Sequence, residues 1–241
     1  TANELVTIGS TTTELDAESG LTYTDGALVI GGTTPSLTIG DAGAEDTKIV
    51  FDGNAQDFHI GLDDSADDLV IGLGSTLGTT SHIVIDEAGC VTKPLQPAFF
   101  VRPSSTQSDL GTGGTTIAWG AEIYDVNADF ASNTFTAPVT GKYHFSIGVT
   151  IAELSTACTL MEITTVTSNR SVRGNKITPN SMIDGDAQNY ISLHVSFDID
   201  MDASDTATVR VEVTNGGGSQ DLIGDAGDAG PITWWSGHLI C

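Results

Sequence analysis

Between Leu21 and Asp86 one short phrase keeps returning: an apolar residue, a variable one, an aliphatic one, then Gly or Asp. It reads Leu28-Val29-Ile30-Gly31, Leu37-Thr38-Ile39-Gly40, Ile49-Val50-Phe51-Asp52, Phe58-His59-Ile60-Gly61, Leu69-Val70-Ile71-Gly72 and Ile83-Val84-Ile85-Asp86, at spacings of about nine to fourteen residues. Each phrase alternates with period two, and turn residues such as Asp41 to Asp46 and Asp63 to Asp68 separate them, so the region reads as short strands joined by turns. A strand of this kind offers two or three aliphatic side chains. At about 1.5–3 kcal/mol for each one fully buried, a lone sheet hardly offsets about 1–2 kcal/mol of backbone entropy per ordered residue. Repeats stacked on one another, or identical chains wrapped around a common axis, remove that deficit. The scarcity of aromatic rings favours the second arrangement, a narrow core on a three-fold axis with the acids outside. A single-chain β-solenoid or a flexible tether is the alternative.

Charge sets further bounds. Eight Lys and Arg face 32 Asp and Glu, a net charge of −24, which disfavours nucleic acid and anionic membrane surfaces. No run approaches the roughly 18 to 20 apolar residues of a membrane helix, so a soluble chain without membrane insertion is expected. No secretory leader is visible at its start. Up to Thr92 one base stands against sixteen acids; from Lys93 onward there are seven against sixteen, and the aromatics concentrate there. The organisation expected is a repetitive β-strand stalk and attachment region over 1–92, a stiff, extended Pro-containing connector over 93–97 and a globular head over 98–241.

The head has longer strands. Asn133 to Val149 passes through a Pro-containing turn and Gly141 into a strand whose Tyr143, Phe145, Ile147 and Val149 share a face. Further strands are predicted at Cys158 to Val166, Tyr190 to Met201, Thr206 to Val213 and Ile232 to Ile240. Ile191 to Ile199 is apolar at odd positions and polar at even ones, the pattern of a half-buried antiparallel strand. About 145 residues with this spacing predict an all-β sandwich.

The phrase Phe135-Thr136-Ala137-Pro138-Val139-Thr140-Gly141-Lys142-Tyr143-His144-Phe145 resembles the central motif of the globular heads of the complement first-component q subunits, the tumour-necrosis-factor-like jelly rolls. Ala98-Phe99-Phe100-Val101 resembles the opening strand of that family, Ala121 to Asn127 its stretch before the motif, Tyr190 to Val213 its paired strands, and Trp235-Ser236-Gly237-His238-Leu239-Ile240 its closing strand. The resemblance covers roughly 60% of the chain. It implies a ten-stranded jelly roll that assembles as a trimer around an apolar axis, above a stalk. The family's collagen stalk is absent, since no Gly-X-Y run exists. An acidic repetitive β-stalk below such a head resembles bacteriophage tail fibres and head fibres, and Ile85 to Pro94 is similar to their connectors.

Catalysis finds little support. The histidines stand at 59, 82, 144, 194 and 238, never within four residues of one another, and no Gly-x-Ser-x-Gly elbow occurs. His144, His194 and His238 fall at polar strand positions and read as surface or interface residues. Asp198, Asp200 and Asp202 alternate on one strand and are the candidate metal ligands. Calcium, held by six to eight oxygens, is the cation they would suit, against the plainer reading of an acidic turn. Asp63, Asp64, Asp67, Asp68, Asp225 and Asp228 are weaker candidates for the same reason. Cys90, Cys158 and Cys241 have no CxxC spacing, so no disulfide framework is expected and assembly in a reducing cytoplasm fits. Cys158 reads as core, and Cys90 could meet its copies in a trimer. Asn169-Arg170-Ser171 matches a glycosylation sequon, a pattern common by chance. Phe135, Tyr143, Phe145, Phe197 and Trp235 are expected in core or trimer packing. Trp119 and Trp234 are the candidate ligand contacts, and adjacent Trp234 and Trp235 must face opposite sides of a strand. The loops Ser104 to Thr115, Arg170 to Gln188 and Gly216 to Gly230 are candidates for recognition.

The sequence as a whole reads as a non-enzymatic homotrimeric viral fibre protein, from a bacteriophage, mediating adhesion to the host or other surfaces. Its location would be the virion, after assembly in the host cytoplasm. Partners would be its own copies, another virion protein at the N-terminal end and a cell-surface glycan, with no cofactor beyond that calcium. A capsid-decorating head fibre with a structural role and a secreted bacterial carbohydrate-binding module are the alternatives.

Overall fold

The computed structural model describes residues 4–8, 15–24, 26–111, 113–183, 189–214, 219–224 and 230–241, with side chains from Gly26 onward. The candidates Asp225 and Asp228 lie outside the described residues, as does part of each of the three loops singled out above. The chain divides into two compact units, Thr1–Thr92 and Lys93–Cys241.

The first unit contains β1 (Glu4–Ile8), β2 (Leu15–Thr24), β3 (Ala27–Ile30), β4 (Thr47–Phe51), β5 (Phe58–Asp63), β6 (Asp68–Leu73), β7 (Ser81–Ile85) and β8 (Val91–Thr92). The first three form one antiparallel sheet and the last five an antiparallel meander in chain order. Five of the six repeated phrases lie on strands. Leu37 to Gly40 does not: Pro35 just before it lacks the N–H a ladder needs, and Leu37 and Ile39 stay exposed. Ile85 to Thr92 closes a hairpin, with Asp86 Oδ1 accepting from the Cys90 amide at 2.7 Å and Gly89 at φ 84°.

The β4–β8 sheet has two unlike faces. On one, His59, Gly61, Val70 and Gly72 are covered, Leu77 folding back over Gly61 and the His59 Nδ1 lying 2.8 Å from the Gly74 carbonyl. On the other, cross-strand pairs align Phe51 with Phe58 and Leu73, Ile49 with Ile60, Ile71 and Ile83, and Leu62 with Leu69, Ile85 and Val91. Among the described residues of the unit, nothing covers this face. Phe51 is 55% exposed, Ile49 45%, Leu62 44% and Leu69 43%.

The second unit is an all-β sandwich of β9 (Ala98–Arg102), β10 (Gly113–Thr116), β11 (Ala121–Asp125), β12 (Phe130–Ala131), β13 (Thr134–Thr136), β14 (Gly141–Ala152), β15 (Leu160–Thr167), β16 (Ser171–Ile177), β17 (Ile191–Met201), β18 (Thr206–Thr214), β19 (Asp221–Leu222) and β20 (Trp234–Leu239). Ten strands run in two sheets, β12-β13-β18-β15-β16 and β11-β9-β20-β14-β17; short β10 pairs with β18 and short β19 with β14. Successive strands keep crossing from one sheet to the other, the strand order of a jelly roll. Period-two alternation builds the core between them: Tyr143, Phe145, Ile147, Val149 and Ile151 point in from β14, and Val209, Val211 and Val213 meet them from β18. Residues 93–97 are a turn and not an extended spacer. The Gln96 amide bonds the Lys93 carbonyl, and Gln96 Nε2 reaches the Leu239 carbonyl at 2.7 Å, which ties the segment to β20.

Candidate functional site

The stretch Phe135 to Phe145 turns from one sheet into the other. Ala137 is fully buried, its amide bonded to the Asp205 carbonyl and its carbonyl to the Ser204 amide. The Tyr143 hydroxyl donates to the Val139 carbonyl at 2.7 Å, and its ring meets Phe135 edge-on at 5.4 Å. Burial pushes the Tyr143 phenol above its ordinary value. A Cβ at position 141 would stand 2.7 Å from the Cys241 carbonyl oxygen, so Gly there allows the residues that follow β20 to approach.

That turn sets the register of β14, which is bonded on both sides, by β17 and by β20. Alternation then sends residues of five adjacent strands, β17, β14, β20, β9 and β11, outward in rows. Asp198, His144, His238 and Ala98 form one row; Ser196, Ser146, Ser236, Phe100 and Tyr124 form the next; His194, Gly148 and Trp234 form the third. Two separate hydrogen-bonded groups link them. His144 Nδ1 lies 2.7 Å from Asp198 Oδ1, His144 Nε2 lies 2.9 Å from Ser196 Oγ, and Ser146 Oγ lies 3.2 Å from His194 Nε2. The His144 and His238 rings are 5.3 Å apart. Trp234 lies over Gly148, where a Cβ would come within 2.7 Å of its Nε1. It touches His194 at 5.3 Å and stands edge-on to Phe100 at 5.9 Å, and Phe100 is edge-on to Tyr124 at 6.0 Å.

An Asp–His–Ser line carries the elements of nucleophile activation. Acyl transfer also needs donors aimed at a developing oxyanion in a site closed to water. Here the Asp198 side chain is 65% exposed on an open sheet face, and β14 spends its amides in two ladders. The face is open to contact with another surface. Its rings interlock edge to face instead of lying in one plane, which makes relief for a protein partner and a poor platform for a sugar.

The sequence candidates scatter. Phe135, Tyr143, Phe145 and Trp235 are core, and Phe197 packs against it partly buried. Trp119 is 4% exposed, packed on Trp235 at 5.9 Å, so the expectation that it contacts a ligand is corrected. Trp234 takes the opposite side of β20 and belongs to the outward face. The three aspartates do not gather into a metal site. Asp198 is spent on His144, Asp200 on Arg170 at 2.7 Å, and Asp202 sits in the β17–β18 turn with its amide on Asp205. A hydrogen bond from its own backbone amide, followed by the Arg170 guanidinium, holds Asp200 below the usual carboxylate range. An open cleft of about 360 Å³ beside Lys142, Asn169, Asp200 and Cys241 includes that same ion-paired carboxylate. Among the described residues no group of three His, Cys, Asp or Glu is arranged to hold a metal ion. The site lay beyond sequence reasoning because its members come from positions 98 to 238; only their polar places within strands were visible.

No family model matches the chain, and no curated protein is significantly similar to it. Solved structures are similar at low identity. The crystal structure of murine APRIL at pH 8.5 matches over 60% of this chain and 99% of its own, with 13% identity and a TM-score of 0.41. The globular domain of zebrafish complement 1qA protein matches over 61% of this chain and 98% of its own, with 19% identity and a TM-score of 0.38.

Proposed function

We propose that the chain is a non-enzymatic, homotrimeric fibre protein of a bacteriophage that holds three heads for contact with the host or other surfaces. The uncovered face of β4–β8 carries this reading. Two rows of Ile, Leu and Val, each from four strands, stand exposed or half-exposed, more than a lone soluble subunit tolerates, and acids in the turns rim them without crossing them. Identical faces turned toward one axis cover one another, and the acidic rims remain solvated. The outward aromatic and serine rows of the head supply a second contact between copies, uncharged at its centre. Three weak surface contacts held on one axis then act by avidity. The N-terminal end would fasten to another virion protein.

Sedimentation of the full chain tests the assembly: a species of three times 24.9 kDa is expected, and a stable 24.9-kDa monomer overturns it. Binding of the full chain to host cells supports attachment. Association with particles without cell binding would assign it to capsid decoration instead.

A further inference from the structure

We propose that the outward face of β15, β16 and β18 binds the carboxylate groups of an acidic polysaccharide through Arg173, Lys176 and Arg210; in its role this rests on the surface contact proposed above. Alternation turns Val209, Val211 and Val213 of β18 into the core and leaves Arg210 and Glu212 outside. Register then sets Glu212, Glu162 and Lys176 in one row across the three strands, and Arg210, Thr164 and Arg173 in the next. Three of the chain's eight bases therefore stand in two adjacent rows. With two acids among them, the rows carry a net charge of +1 in a chain of −24.

These bases are held in place without being spent. Glu162 stands at an outward position, yet its side chain is only 3% exposed, and its ion pair to Arg173 Nη1 is long at 3.8 Å. That distance is beyond hydrogen-bond reach, so the Arg173 fork, 71% exposed, keeps its donors. Lys176 and Arg210 have no ion pair among the described residues. The Arg210 guanidinium lies against Gly114 of β10, where any Cβ would collide with it, so the glycine leaves it room to rest on the sheet. Arg210 and Arg173 flank Thr164 from the two neighbouring strands, about 10 Å apart along the sheet. A guanidinium fork meets a planar carboxylate with two parallel bonds. Two forks on either side of a strand suit anionic groups spaced along a chain. Nucleic acid brings charge every few ångströms, which the chain's many acids repel, and these rows hold no aromatic ring for its bases to stack on. A polysaccharide with carboxylates on separate sugars meets both limits, since neutral hydroxyls fill the space between its charges.

The test is fluorescence anisotropy of a labelled galacturonate oligomer with the full chain at about 20 mM and about 200 mM salt. A neutral dextran oligomer and single-stranded DNA of equal length are the comparisons. Wild type should bind the galacturonate oligomer, less tightly at the higher salt, and should prefer it to both others. Arg173→Gln with Arg210→Gln should weaken binding by about tenfold or more. Glu212→Gln, which removes a carboxylate from the same rows, should strengthen it. Lys142→Gln, an equal loss of charge on the other sheet, should leave it unchanged. Circular dichroism checks the strand signal of every variant. A folded wild type that ignores the galacturonate oligomer, equal affinity for dextran or DNA, or an equal loss in Lys142→Gln would overturn the site. Host-cell binding that survives the double arginine substitution would overturn the site and leave attachment standing. Oligomer binding without cell binding would sustain the site and overturn attachment.

Discussion

Trp235 shows what a single residue does in this chain. It is fully buried with Phe99 edge-on at 5.0 Å, Phe130 and Phe145 each at 5.5 Å and Trp119 at 5.9 Å, and its indole N–H has no acceptor among the described residues. Packing has outweighed a hydrogen bond there. Trp235→Ala should cost about 3–5 kcal/mol in urea denaturation. Trp235→Phe should cost less than half as much, since it keeps ring contacts and removes an unpaired donor. Tyr143 gives a pH signature. Burial raises its phenol above 10.0, so the stability it contributes is present below pH 10 and is lost as pH rises through the elevated value. Tyr143→Phe loses the bond to Val139, about 1 kcal/mol at neutral pH, and should flatten the alkaline limb of a stability–pH curve; an unchanged limb would refute this. Tyr143 and Trp235 were legible as packing residues because strand alternation fixes the side they face. Trp119 was not, since it lies outside any strand and only the fold decides what covers it.

At the scale of elements, the sheet of the first unit and the outward sheet of the second pose opposite problems. β4–β8 expose aliphatic rows, so Ile60→Ser with Ile71→Ser should leave the strand signal intact and weaken self-association at least tenfold by sedimentation; tighter association would contradict the proposed axis. In the Asp63–Asp68 turn, loss of solvent and then the nearby Glu87, Asp86, Asp63 and Asp67 push the Asp68 carboxyl up. Its ionised form is therefore a liability at neutral pH. Asp68→Asn should raise the thermal midpoint of the first unit, and by less at high salt. In the second unit Gly148→Ala would drive Trp234 from its seat over β14, a change readable as a shift in tryptophan emission. Strand existence followed from period two. Partner choice did not, because Ser196, Ser146 and Ser236 share a row only once three distant strands take their register.

For the whole molecule, stability and assembly should be inseparable. If copies cover one another's apolar faces, the thermal midpoint rises with protein concentration, and a tenfold dilution that leaves it unchanged would count against the proposal. Added salt should favour association as well, by screening −24 charges per chain.

Alternation, turn residues and the charge ledger are local properties, and by themselves they determined that most of these segments make strands and, in the second unit, which side of a strand such as β14 faces the core. The pairing of β14 with both β17 and β20, the balance of Asp198 against His144 and the bare side of β4–β8 depend on residues brought together from far apart. Those contacts exist only after loop closure, so the tertiary structure alone decided them.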